Sequence, residues 1–357
     1  MSGHFTGACL VKEGKYDETK IYRLQGEGLH NRYHIISGPG SRRLLASPET
    51  VGFDCYQALV DETTAALSQL LCHNASIDIF TILRGGLNYP LEEAAAKCGI
   101  KVRDIHFVSC ERIINHDEIL GLDVRYEKIR PSKNRILAIG DILATGDTLR
   151  LCLEHLVSEF QRKEGSLRRI LLFTIGGTRA IQVLEELYPK ILEVFPQFEG
   201  FDCCFFEGMF TVYTDKGVSG INTPDIDFGW KGGVVSPEFR KYIIERPDAL
   251  YEKCIIYDGG ARRFELQLHF EEVLEYWEGI LERADKIDAV AMTGEKLGYD
   301  TPLSYDEWAR ETHLAALGDY HLLWEKEQEL LRQGVNLREL ALRRIQAMKQ
   351  IQKEYEN

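Results

Sequence analysis

Short unbroken apolar runs alternate along the chain with stretches in which apolar residues return at helical spacing, and the two periods separate strands from helices. Residues 53–72 carry Leu59, Ala66, Leu67, Leu70 and Leu71 at helical spacing, so a helix precedes the first clear strand. Residues 77–83 (IDIFTIL) are apolar and β-branched and predict a buried strand. Arg84, Gly85 and Gly86 follow at once, and Pro90, well suited to a first helical position, opens a helix through Cys98. Residues 104–109 predict the next strand, and residues 110–129 (CERIINHDEILGLDVRYEKI) a polar, hairpin-like excursion around Gly121. Residues 135–139 form another buried strand. Gly140, Asp141, Thr145, Gly146, Asp147 and Thr148 then make a polar turn, and helical spacing resumes from Leu149 to Phe160. Residues 168–175 predict a strand ending at Gly176 and Gly177, residues 178–187 a capped helix, and residues 201–213 an aromatic strand region before a glycine-rich loop over 214–233.

Strands alternating with helices at this spacing predict an α/β fold, a parallel sheet with helices on both faces. In such sheets ligands lie outside the carboxyl ends of the strands, where strand order reverses. Arg84-Gly85-Gly86 and the 141–148 loop both leave strand carboxyl ends, so they belong on one edge. Residues 1–50, with short possible strands at 20–24 and 34–36, read as an N-terminal arm to an α/β domain over 51–233. Residues 234–357 read as a mainly helical extension, with helices over 263–284, 304–317, 320–332 and 336–355. In the last of these, Leu337, Leu340, Ala341, Ile345, Met348 and Ile351 form one stripe, and Asn336 with Glu339 predicts a variant capping box. The stripe is intramolecular core first and a homo-oligomer interface second.

Charge narrows the partners. A chain of 357 residues with a net charge of −13 lacks the clustered Lys and Arg that nucleic acid or an acidic membrane surface requires, so an anionic substrate must be held locally. Nine cysteines without regular spacing read as reduced thiols of a cytoplasmic protein, and the adjacent Cys203 and Cys204 lack the CxxC arrangement of redox or zinc sites. His106, His116 and His269 show no metal-ligand spacing. No apolar run approaches a membrane span, and the first residues lack the architecture of a secretory signal.

The candidate chemistry sits on the two glycine turns. Gly146 permits close backbone approach, the Thr145 and Thr148 hydroxyls donate, and the following helix start offers free amides to an anion. Asp141 could accept from sugar hydroxyls or brace a turn. Arg84 with the Gly85 and Gly86 amides could hold a second anion or form a tight turn. Arg112, Arg125 and Lys128 read as a solvated hairpin face or as groups that close over a ligand. Asp225 and Asp227 could equally belong to an Asx-turn after Pro224.

Residues 136–148 (ILAIGDILATGDT) resemble the signature of type I phosphoribosyltransferases that binds 5-phosphoribosyl-1-diphosphate (PRPP). In chain order, ILRGGL (82–87), RYEKIRP (125–131) and GINTPDIDFG (220–229) are similar to segments of the uracil phosphoribosyltransferases. The resemblance implies the type I phosphoribosyltransferase fold, with Ala144, Thr145, Gly146, Asp147 and Thr148 around the 5-phosphate and Asp141 on the ribose hydroxyls. It implies Arg84, Gly85 and Gly86 on the pyrophosphate with Mg²⁺, Arg112 and Lys128 closing over it, and Ile221, Thr223, Asp225 and Asp227 near a nucleobase. The implied activity is a Mg²⁺-dependent transfer from PRPP to a uracil-like pyrimidine with release of pyrophosphate. Gly140 stands where many members carry an acidic residue, and Asp147 where glycine is common; these departures motivate a catalytically silent PRPP or nucleotide sensor as the alternative. A Rossmann-type methyltransferase is disfavoured because the G-x-G turn is absent, and a P-loop nucleotidase because no G-K-[S/T] follows the loop.

Overall fold

The computed structural model describes residues 9–356 apart from 17, 84–86, 116–117, 213–216, 222–227 and 254–264. Ten strands form one sheet: β1 (Cys9–Tyr16), β2 (Thr19–Gln25), β3 (Arg32–Ser37), β4 (Ser76–Leu83), β5 (Lys101–Asn115), β6 (Glu118–Lys128), β7 (Arg135–Leu143), β8 (Leu167–Gly177), β9 (Phe201–Val212) and β10 (Phe228–Val235). Their order is β1-β2-β3-β9-β8-β7-β4-β5-β6, with β10 also on β9. The strands from β3 to β5 in that order pair in parallel; β1, β2, β6 and β10 add antiparallel margins. Helices α1 (Pro39–Ala46), α2 (Gly52–Leu70), α3 (Tyr89–Lys97), α4 (Asp147–Arg162) and α5 (Arg179–Val194) connect them. The apolar runs predict β4, β7 and β8 because these strands are central: Ile79, Phe80, Leu137, Ile139, Leu171 and Leu172 are all buried.

Residues 20–24 and 34–36 do lie in strands, and the segment read as an arm is part of the sheet, since β3 pairs in parallel with β9 from Arg32↔Asp202 to Ile36↔Phe206. Beyond Phe206 the same edge of β9 passes to β10, which pairs antiparallel from Val235↔Gly208 to Phe228↔Val212. Glu207 stands at this handover with a left-handed φ of 62°. Its carboxylate accepts from the Ser37 hydroxyl at the end of β3, the Gly38 amide before α1, and the Ser41 hydroxyl, each at 2.7 Å. Ser236 Oγ, 2.7 Å away, caps α6 by accepting from Phe239 N. One buried carboxyl group thus joins four segments at a break in the strand ladder.

Seven described helices occupy the C-terminal third: α6 (Pro237–Ile244), α7 (Pro247–Leu250), α8 (Leu266–Arg283), α9 (Ala289–Leu297), α10 (Tyr305–Glu311), α11 (His321–Gln333) and α12 (Leu337–Glu356). The expected 304–317 helix stops at Glu311 because His313 turns left-handed at φ 60°, and Leu314 and His313 donate to the Ala309 and Arg310 carbonyls in a Schellman arrangement. Helix α9 was not foreseen, although Asp288 caps it and Gly298 ends it at φ 89°. Glu327 of α11 accepts from Tyr299 Oη at 2.7 Å and Trp308 Nε1 at 2.8 Å, and lies 3.5 Å from Arg240 of α6, whose guanidinium covers the Trp230 ring of β10. Helix α12 packs its stripe on α8, with Leu337, Leu340, Ala341 and Met348 buried. Asn336 Oδ1 accepts from Glu339 N at 3.2 Å, so Asn336→Ala is expected to cost about 1 kcal/mol, read as a lower urea unfolding midpoint. No helix of the described residues is long and apolar enough to cross a membrane.

Candidate functional site

From β4 the chain winds through α3 to β5 on one side; from β7 it winds through α4, β8 and α5 to β9 on the other. The reversal falls between the adjacent strands β4 and β7, and the crevice at their carboxyl ends is where ligands sit in such sheets. Strand β7 runs four residues past the expected end, because Gly140, Asp141, Ile142 and Leu143 continue the parallel ladder to Phe173, Thr174, Ile175 and Gly176 of β8. The polar turn is therefore only Ala144, Thr145 and Gly146.

Gly146 is the N-cap of α4 with φ 79°, a conformation that glycine adopts without strain, and no side chain caps the helix. The first-turn amides of a sixteen-residue helix thus begin just beyond the carboxyl end of β7, with the positive end of its dipole. Thr145 is exposed, and Ala144, Asp147 and Thr148 are half-buried beside it. Asp147 lies 3.7 Å from Arg150 Nη2, and Arg150 Nη1 lies 3.7 Å from Glu154, so a cation offsets the carboxylate at the start of α4. Half-buried Asp141 accepts from Ile142 N at 2.9 Å.

The structure supplies a reason for Gly140. Its amide donates to Asn88 Oδ1 at 3.0 Å, and a Cβ there would meet the Leu87 carbonyl oxygen at 2.1 Å. The segment after β4 is packed onto the β7 backbone, leaving no room for a second acidic side chain. Asn88 was missed in the sequence, yet it joins the residues before α3 to the end of β7; among the described residues its Nδ2 is buried without a hydrogen-bond partner. On the other flank, the Ala144 carbonyl comes within 3.6 Å of where a Cβ on Gly177 of β8 would stand.

Strands β5 and β6 form the expected hairpin, but Gly121 lies within β6, where it pairs with Ile113 of β5, and is not its turn. The hairpin projects past the last β4 pair, Leu83↔Ser109. Arg112 pairs with Leu122 along it, and the Arg112 side chain lies outside the described residues. Arg125 is engaged at the hairpin surface by Glu111 and Asp123, both at 3.0 Å. Lys128 pairs with Phe107 below the rim, its ammonium 5.5 Å from the centre of the Phe107 ring. Ile221 faces α8, where its Cδ1 lies 3.3 Å from where a Cβ on Gly279 would stand, and Arg283 donates to the Gly220 carbonyl. Arg84, Gly85, Gly86, Thr223, Asp225 and Asp227 lie outside the described residues. Among the described residues no group of three or more His, Cys, Asp or Glu is placed to hold a metal ion.

No family model matches the chain, and no curated protein does. Solved structures similar to it include the AQ2163 protein from Aquifex aeolicus, at 16% identity and a TM-score of 0.33 over 48% of this chain and 85% of that one. A purine phosphoribosyltransferase from Pyrococcus horikoshii matches at 14% identity and TM-score 0.27, over 44% of this chain and 89% of that one. A hypoxanthine phosphoribosyltransferase from Staphylococcus aureus matches at 17% identity and TM-score 0.26, over 38% of this chain and 64% of that one.

Proposed function

We propose that the chain transfers a phosphoribosyl group from PRPP to a nucleobase, a uracil-like pyrimidine leading, and releases pyrophosphate. The observation that carries this reading is the uncapped start of α4 behind a left-handed Gly146, five residues beyond Asp141 at the point where strand order reverses. In it, the amides and hydroxyls of Ala144 to Thr148 bind the 5-phosphate, and Asp141 orients the ribose through its hydroxyls. Arg84, Gly85 and Gly86 neutralise the departing pyrophosphate, Arg112 and Lys128 approach from the hairpin, and Ile221, Thr223, Asp225 and Asp227 contact the base. Displacement at the anomeric carbon builds oxocarbenium character, so fixed geometry and charge compensation suffice and no protein nucleophile is needed.

Magnesium would offset charge on the departing pyrophosphate, with Asp141 as the carboxylate that would hold it. Half-buried Asp141 fits that use, because Mg²⁺ on a phosphorylated substrate takes one or two carboxylates and draws its other ligands from phosphate and water. A second reading, a PRPP or nucleotide sensor without turnover, is favoured by the Leu87 carbonyl against Gly140, which leaves the ribose position one carboxylate.

The test is calorimetric titration with PRPP and Mg²⁺. Wild type is expected to bind, and Asp141→Asn and Thr145→Ala to bind about tenfold more weakly or worse, the scale of one hydrogen bond to a charged group. Equal affinity in all three proteins refutes the loop assignment. A panel of free bases scored for pyrophosphate release then separates the readings: release assigns the transferase, and tight binding without release assigns the sensor.

A further inference from the structure

Beside the anion loop, independently of what it binds, two thiols meet. Cys110 Sγ of β5 and Cys152 Sγ of α4 are 3.4 Å apart. Cys110 is the first residue of β5 beyond the last β4 pair, Leu83↔Ser109, and the β5–β6 register shifts there, Ser109 facing Tyr126 and Cys110 facing Val124. Cys110 therefore stands at an irregularity of the β5–β6 ladder, one residue past the last described β4 pair. Cys152 is fully buried five residues into α4, and Cys110 is part-exposed. The hydrogen bond to Cys110, burial, and the nearby Asp141 charge all push the Cys152 thiol up, so the more accessible Cys110 sulfur is the one that meets an oxidant first. Cys203 and Cys204, adjacent in β9, point to opposite faces of the sheet and are fully buried, which protects them.

We propose that Cys110 and Cys152 are a reversible dithiol–disulfide pair that, when oxidised by a peroxide, fastens the β5–β6 hairpin to the helix carrying the anion loop. The Cys110 sulfur attacks the O–O bond, forming a sulfenic acid and releasing the alcohol, or water from hydrogen peroxide. The Cys152 sulfur then attacks the Cys110 sulfur; the S–S bond forms as the S–O bond breaks, and the Cys152 proton leaves with the hydroxide as water. Two thiols lose two electrons in all, and the peroxide gains them. The sulfurs need to close by only about 1.3 Å from 3.4 Å to reach a disulfide, and the register shift beside Cys110 is where the backbone can follow.

The experiment uses the full chain. After a small excess of hydrogen peroxide, thiol blocking and digestion without reductant, mass spectrometry is expected to find the Cys110–Cys152 linked peptide, absent again after a dithiol reductant. Hydrogen exchange of peptides covering residues 110–128 is expected to slow more than about tenfold in the linked protein. Cys152→Ser is expected to leave Cys110 as a sulfenic acid trapped by dimedone. Oxidation confined to unlinked Cys110, or a link from Cys110 to another cysteine, overturns the pair. A link without slowed exchange overturns its role as a fastener.

Discussion

Replacing Gly140 by Asp is expected to destabilise the protein by about 3 kcal/mol or more. The obstacle is backbone. A Cβ on residue 140 would lie 2.1 Å from the Leu87 oxygen, 2.4 Å from its carbonyl carbon and 2.9 Å from Asn88 N, none of which can rotate aside as a side chain would. Relief requires the segment after β4 to lift from β7, which breaks the Gly140 N–H to Asn88 Oδ1 bond and exposes buried Leu87. Gly140→Ala already carries the Cβ and is expected to show most of the loss in urea unfolding; the Asp variant adds a carboxylate in an occupied space. An Ala variant as stable as wild type would mean that the two loops are not packed together at this point.

What the sequence disclosed follows the range of the forces involved. The 135–160 segment was readable because its strand, turn and helix are each determined by near neighbours: Leu137 and Ile139 are buried on central strand positions, Gly146 alone suits φ 79°, and Leu149, Leu153, Leu156 and Phe160 return on one helical face. The end of β7 was misplaced because Gly140 and Asp141 have turn character locally, and only the ladder to Phe173 and Thr174 keeps them extended. The same holds for β1 to β3. Their attachment to β9 spans roughly 170 residues of chain, and no local pattern announces it. Asn88 carries no motif signal of its own, since its role depends on the Gly140 amide brought to it by a strand more than fifty residues later. Helix α9 could have been found: Asp288 and Gly298 are an N-cap and a C-terminal glycine at the correct separation.

Stability is expected to fall as pH rises from about 5 to about 9, because buried carboxyls, among them Glu62, Glu207 and Glu252, are pushed up by burial in the folded protein. Glu62 of α2 is 1% exposed and accepts from the Gly40 and Ser41 amides at the start of α1. Burial pushes it from 4.5 up to about 8, reinforced by the charge of Glu207 and opposed by those amides. Burial likewise pushes Glu207 up to about 7, against the pull of Ser236, Ser41, Arg42 and Ser37. Both folded values lie above the unfolded one, so their stabilisation is fully present below pH 4.5 and is lost as pH rises through 7 to 8. Asp202 and Asp78, held low against burial by His34, Arg32 and Arg169 and by His106 and Arg135, have the opposite sign, and their loss falls in acid below this window. At about 1.4 kcal/mol per unit, after relaxation around the charged form, the loss is on the order of 3 kcal/mol. Urea midpoints across this range measure it. Glu62→Gln keeps an oxygen for the Gly40 and Ser41 amides while removing the proton, so its profile should be flatter above neutrality. A wild-type profile that stays level or rises toward pH 9 would show that Glu62 and Glu207 fold as carboxylates, with the α1 amides and the serine hydroxyls outweighing burial.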